Sequence, residues 1–226
     1  MTTSQPQSAN MLSNFALLCS QTEVEKNKLW QLPVIEQALS GRLKLETYVA
    51  FLSRAYHHVK HTVPLLMQAG ARFSDEDDWL RRAMAEYIEE ELGHEDWILN
   101  DIKACGGDAE MVRTSAPSFA VEVMVSYAYD SINRCDPLCF LGMVHVLEGT
   151  SVALASQVAQ SLKTSLNLPN KAFSYLISHG DLDQGHQQFF EGLINRLSDD
   201  QLAVVVNASQ RFYRLYRHIF EELTFA

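Results

Sequence analysis

Apolar residues recur along this chain at intervals of three and four almost from end to end, the spacing of one face of a helix. No run alternates apolar and polar residues long enough to predict a strand. The pattern predicts a helix over Asn10 to Ser20 and a second over Val24 to Ser40, bent at Pro33 and closed by Gly41. A long helix over Leu45 to Ala71 carries Pro64, which forfeits one backbone bond and predicts a kink. Ser74, followed by Asp75 and Glu76, starts the next, which runs to Ala104 and stops at Gly106-Gly107. Further helices are predicted from Ser118 to Asn133, from Asp136-Pro137 to Leu162, and from Leu168 to Arg196. The last, to Glu222, opens on a capping-box sequence, SDDQ (198 to 201). Seven to eight helices with short links and no internal repeat describe a single all-α helical bundle over residues 9–226. The Ser/Gln/Thr-rich residues 1–8 read as a disordered tail.

Composition narrows the class. A chain of 226 residues can bury a core without disulfide or metal staples. Its 47% hydrophobic and 20% charged residues exclude a disordered chain. The net charge of −10, with basic residues scattered, argues against nucleic acid or an anionic membrane as partner. Cys19, Cys105, Cys135 and Cys139 form no CxxC pair and no zinc-type spacing, so free thiols in a reducing compartment are expected. The N-terminus lacks a basic start and a cleavage site, and no apolar stretch reads as long enough to cross a bilayer. A cytoplasmic protein is the expectation.

Chemistry concentrates in two polar stretches. In SHGDLDQGH (178 to 186), His179, Asp183 and His186 stand four and three apart, within roughly 60° of one helical stripe. In EEELGHEDW (89 to 97), Glu91 and His94 stand three apart, also one stripe, with Glu90 a competing carboxylate. Between these segments, MVHVLEGTSVALAS holds Glu148 alone among apolar and small residues. A lone buried carboxylate is costly unless paired, and the two stripes offer its partners. Glu91, Glu148 and Asp183 with three neutral imidazoles would leave an uncompensated negative interior; a pair of divalent cations with a bridging hydroxide neutralises it. Carboxylate with imidazole suits iron or manganese, whereas structural zinc usually recruits thiolates. His145, three residues before Glu148, reads as a support behind the ligands or as a core histidine. His57, His58 and His61 have no carboxylate beside them and read as pocket lining or structural histidines.

The order E-x-x-H, then VLEGT, then H-x-x-x-D-x-x-H resembles the haem-oxygenase-like dimetal oxidases, in the superfamily that also holds TenA thiaminases and PqqC-type enzymes. HGDLDQGH (179 to 186) carries the resemblance most specifically and EEELGH (89 to 94) next; it covers roughly residues 10 to 222. It implies a haem-oxygenase-like bundle with metal ligands Glu91, His94, Glu148, His179, Asp183 and His186. It also implies two iron ions, or manganese with iron, activating dioxygen to oxidise a small organic substrate with an external reductant, in a homodimer. Some members of that family place a carboxylate seven residues before the histidine, where this chain has Tyr87. The thiaminase nucleophile, a cysteine six residues before the equivalent of Glu148, is Gly142 here. Haem oxygenases hold haem with a histidine in their first helices, and the first histidine here is His57. The rival readings are a metal-free PqqC-type oxidase, a TenA-like enzyme and a non-catalytic small-ligand-binding domain. Met143, Phe173 and Phe189 are expected to shape the substrate pocket.

Overall fold

Several helices start on a local signal. In the computed structural model, which describes residues 12–225 apart from the side chains of 179–184, 224 and 225, Ser13 Oγ accepts the Ala16 amide at 3.2 Å and opens α1 (Asn14–Trp30). Pro33 takes the first position of α2 (Pro33–Leu39). The chain breaks at Lys60-His61 between α3 (Leu45–Val59) and α4 (Thr62–Arg72). Pro64 therefore lies in the first turn of α4, where an amide has no helical partner to lose, and kinks nothing. A second break at Leu92-Gly93 separates α5 (Asp78–Glu91) from α6 (His94–Ala104). Asp108 caps α7 (Ala109–Thr114) by accepting the amides of Glu110 and Met111. Then follow α8 (Phe119–Asp130), which runs into a π-helical turn, α9 (Cys139–Leu166), α10 (Ser174–Ile194) and α11 (Asp199–Glu221). Ser198 and Gln201 close the expected capping box at the start of α11.

The described residues form eleven α-helices and no strand, so the fold class stands and the count of seven to eight is corrected. Two predicted helices each divide in two, α7 had gone unread, and the predicted gap after Ser20 is continuous helix. There the polar Thr22 is buried, its hydroxyl donating to the Leu18 carbonyl at 2.8 Å. The expected tail over residues 1–8 lies outside the described residues.

α9 is the axis of the bundle. His145 stacks 6.1 Å from Phe190, and the Glu148 level meets His186, so α10 runs antiparallel along it. Gly142 faces Ala208 and Ser209, and His145 meets Tyr213, so α11 runs parallel to it. A β-carbon at Gly142 would lie 2.6 Å from Ala208 Cβ and 2.7 Å from the Ser209 amide nitrogen. Glycine lets the two helices touch at that point. By length and composition α9 could cross a membrane, contrary to the reading of the sequence, yet more than half of its most apolar stretch is buried within the bundle.

Two buried polar groups tie the frame together. α10 has no cap of its own; Asp101 of α6 reaches across and accepts the amides of Ser174 and Tyr175, each at 2.9 Å. Burial pushes the Asp101 carboxyl up to about 6, against those hydrogen bonds. His145 meets Thr22 of α1, Nε2 to Oγ1 at 3.0 Å, among Phe15, Phe190 and Tyr213. Burial, with a smaller contribution from Lys26, lowers its titration to about 4.

Because the unfolded chain protonates His145 near 6.5 and the folded protein only near 4, the stability this residue contributes is complete above pH 7 and lost as pH falls between those values. Relative to His145→Gln, the wild type should lose on the order of 3 kcal/mol between pH 7 and pH 4, measured by urea unfolding. A difference that does not change with pH would contradict the assignment of a neutral buried imidazole.

Candidate metal centre

Glu91 is the last residue of α5 and His94 the first of α6. They do not share one helical stripe, as their spacing had predicted. Gly93 instead adopts a left-handed φ of 87°, and the turn brings His94 Nδ1 to 3.0 Å from Glu91 Oε2. The buried His94 ring stacks on Trp97, centroids 4.1 Å apart, which fixes its plane.

Glu148 enters from the middle of α9 and His186 from α10. One ligand atom each from Glu91, Glu148 and His186 lies within 4.8 Å of the other two. Glu90 also reaches this group, its Oε2 standing 3.0 Å from His186 Nε2. The two neighbouring glutamates occupy different sides: the Glu91 side chain is 11% exposed and faces inward, whereas Glu90, at 40%, meets His186 from the solvent side. His179 and Asp183 belong to α10, but their side chains lie outside the described residues. The described contacts of His145 are with α1, α10 and α11, and none is with Glu148.

The group gathers like charges that a cation would offset. Glu91 and Glu148 bring carboxylate oxygens within 4.8 Å of each other, a separation at which two ionised carboxylates would repel by about 3–4 kcal/mol at an effective dielectric constant near 20. The buried Tyr87 phenol, edge-on to His186 and Phe189, registers the same field. Burial raises it well above the usual phenol range, and Glu148, Glu90, Glu91 and Glu86 add to the shift. The donors are oxygen and nitrogen, and the four free cysteines are outside the cluster, a set that fits iron or manganese better than structural zinc.

Glu91 and Glu148 also face a cavity of about 140 Å³ between α9 and helices α2, α3, α10 and α11. Of the expected pocket residues Met143 lines it, whereas Phe173 stacks on Tyr48 and Phe189 packs on Tyr87. His58 lines it too, while His57 meets Ser115 and His61 meets Tyr129. Tyr87, Asp101 and most of the cavity wall were not read from the sequence. Only Tyr87 left a trace there, as the residue standing where relatives carry an acid.

An all-helical bundle with this helix order is a haem-oxygenase-like fold. A domain of unknown function from Shewanella denitrificans, described as having that fold, superposes with a TM-score of 0.84 at 21% identity, covering 95% of this chain and 93% of its own. A TenA homologue from Pseudomonas syringae gives 0.77 at 12% identity, over 98% of this chain and 99% of its own. Haem oxygenase from Leptospira interrogans gives 0.76 at 18%, over 93% and 100%. The chain belongs to the family described as iron-containing redox enzyme, whose sequence profile matches residues 49–217. No curated protein matches it.

Proposed function

We propose that this protein is a non-haem iron oxidase or oxygenase with a dinuclear centre that uses dioxygen and an external reductant to oxidise a small organic substrate. Glu91, His94, Glu148, His179, Asp183 and His186 would hold the metal. The observation that carries this reading is the convergence of Glu91, Glu148 and His186, from three helices, beside an apolar cavity. When bound, iron supplies the electron transfer to dioxygen that protein side chains do not provide. The chain's own part is to orient and exclude. Trp97 fixes the plane of His94, Glu90 holds His186, and the apolar wall keeps bulk water from the reacting atoms.

The test needs no knowledge of the substrate. Protein loaded anaerobically with ferrous iron should, on mixing with dioxygen, oxidise that iron much faster than free ferrous iron in the same buffer. His186→Ala should not. Oxidation at the free-iron rate would overturn the reading, and dioxygen consumption by metal-free protein with an organic substrate would favour a PqqC-type reaction.

A further inference from the structure

Tyr87 stands one turn before Glu91 on α5, so both side chains leave the same face of that helix. The residue is 1% exposed, and its ring meets His186 and Phe189 edge-on, with centroids 6.3 and 5.2 Å away. The carboxylates of Glu148, Glu90 and Glu91 are near enough to act on the phenol. Among the described residues, neither these nor any other group accepts a hydrogen bond from its hydroxyl.

A buried hydroxyl without a partner costs on the order of 1–3 kcal/mol, and native proteins leave few of them. Packing does not require this one, since phenylalanine would fill the same space between α5 and α10 without that cost. The nearby carboxylates are directed elsewhere, Glu91 toward His94 Nδ1 and Glu90 toward His186 Nε2, each at 3.0 Å. A phenol keeps its proton at neutral pH, so Tyr87 enters the site as a donor. The carboxylates and imidazoles around it are groups that a metal engages, whereas a protonated phenol is a poor metal ligand. What suits its O–H is a small electron-rich ligand brought in beside the metal.

We propose that Tyr87 is the hydrogen-bond donor for a small anion that shares the metal centre with Glu91, Glu148 and His186. The proposal rests on the iron reading above and adds to it a residue outside the ligand set. Hydroxide is the simplest such anion. Azide and fluoride have the same chemistry, a compact negative charge that accepts a hydrogen bond, and serve as probes.

The experiment compares wild type with Tyr87→Phe, each loaded with ferrous iron, oxidised in air and titrated with azide and with fluoride. Absorption follows azide and calorimetry follows fluoride. Tyr87→Phe should take up as much iron as the wild type and bind each anion roughly tenfold more weakly. Without metal it should melt no lower, because the substitution removes a hydroxyl that no group accepts. Wild-type protein that binds neither anion, or equal affinities in the two proteins, would overturn the inference. So would a metal-free variant that melts well below the wild type, since the hydroxyl would then be held by the protein itself. Loss of iron from the folded variant, or a phenolate-to-iron absorption band that Tyr87→Phe abolishes, would make Tyr87 a ligand and overturn it too. If neither protein takes up iron, the iron reading fails and this inference with it. Full iron uptake with anion affinity unmoved defeats this inference alone.

Discussion

Glu148→Gln is expected to make the iron-free protein more stable than the wild type and to abolish the rise in melting temperature that ferrous iron produces. The two effects have one origin. Without a cation, Glu148 and Glu91 bring like charges within 4.8 Å of each other, and the neutral amide removes that repulsion, on the order of 1–3 kcal/mol beside polar partners such as His94. With iron present the same carboxylate is a ligand. At a hundredfold excess over the dissociation constant, binding adds about 2.7 kcal/mol to the wild type, or roughly 5–11 °C in a chain of this size. The wild type and the variant should thus exchange order when iron is added, a sign reversal that a merely structural glutamate cannot produce. A variant less stable than wild type in both conditions would remove Glu148 from the site.

Gly142→Cys should destabilise the protein by about 3 kcal/mol, lowering its melting temperature by roughly 6–12 °C. The new β-carbon would fall within 2.7 Å of the Ser209 backbone, and α9 and α11 would have to part along their whole contact to admit it. The resemblance to the wider superfamily places the thiaminase cysteine at this position, and the close helix contact leaves no room for that side chain here. Thermal unfolding of Gly142→Cys and Gly142→Ala tests it. An unchanged melting temperature in both would mean that the two helices are not in contact there.

What the sequence made legible was periodic. The spacing of apolar residues is enough to assign an all-helical bundle, and the capping box at Ser198 marks the start of α11 correctly. The breaks were harder to see. Gly93 sits in a charged run that continues the helical pattern on both sides, so its left-handed turn, which presents His94 to Glu91, is invisible without the fold. Pro64 looked like a kink because the start of α4 carries no side-chain cap to announce it. Asp101 caps α10 from more than seventy residues away, beyond the reach of any local signal. Within the candidate site, Glu91, Glu148 and His186 were legible as acids and an imidazole without other reason to be buried. The cavity was not, because its contour depends on how α2 and α11 close against one face of α9.

The claim on which the rest depends is that Glu91, Glu148 and His186 share one metal centre. Anomalous diffraction at the iron edge, from crystals grown anaerobically with ferrous iron, tests it most directly. The account predicts iron bound where Glu91, Glu148 and His186 converge, with all three serving as ligands. Iron found only elsewhere on the molecule, or these three side chains free of metal at saturating iron, would contradict it.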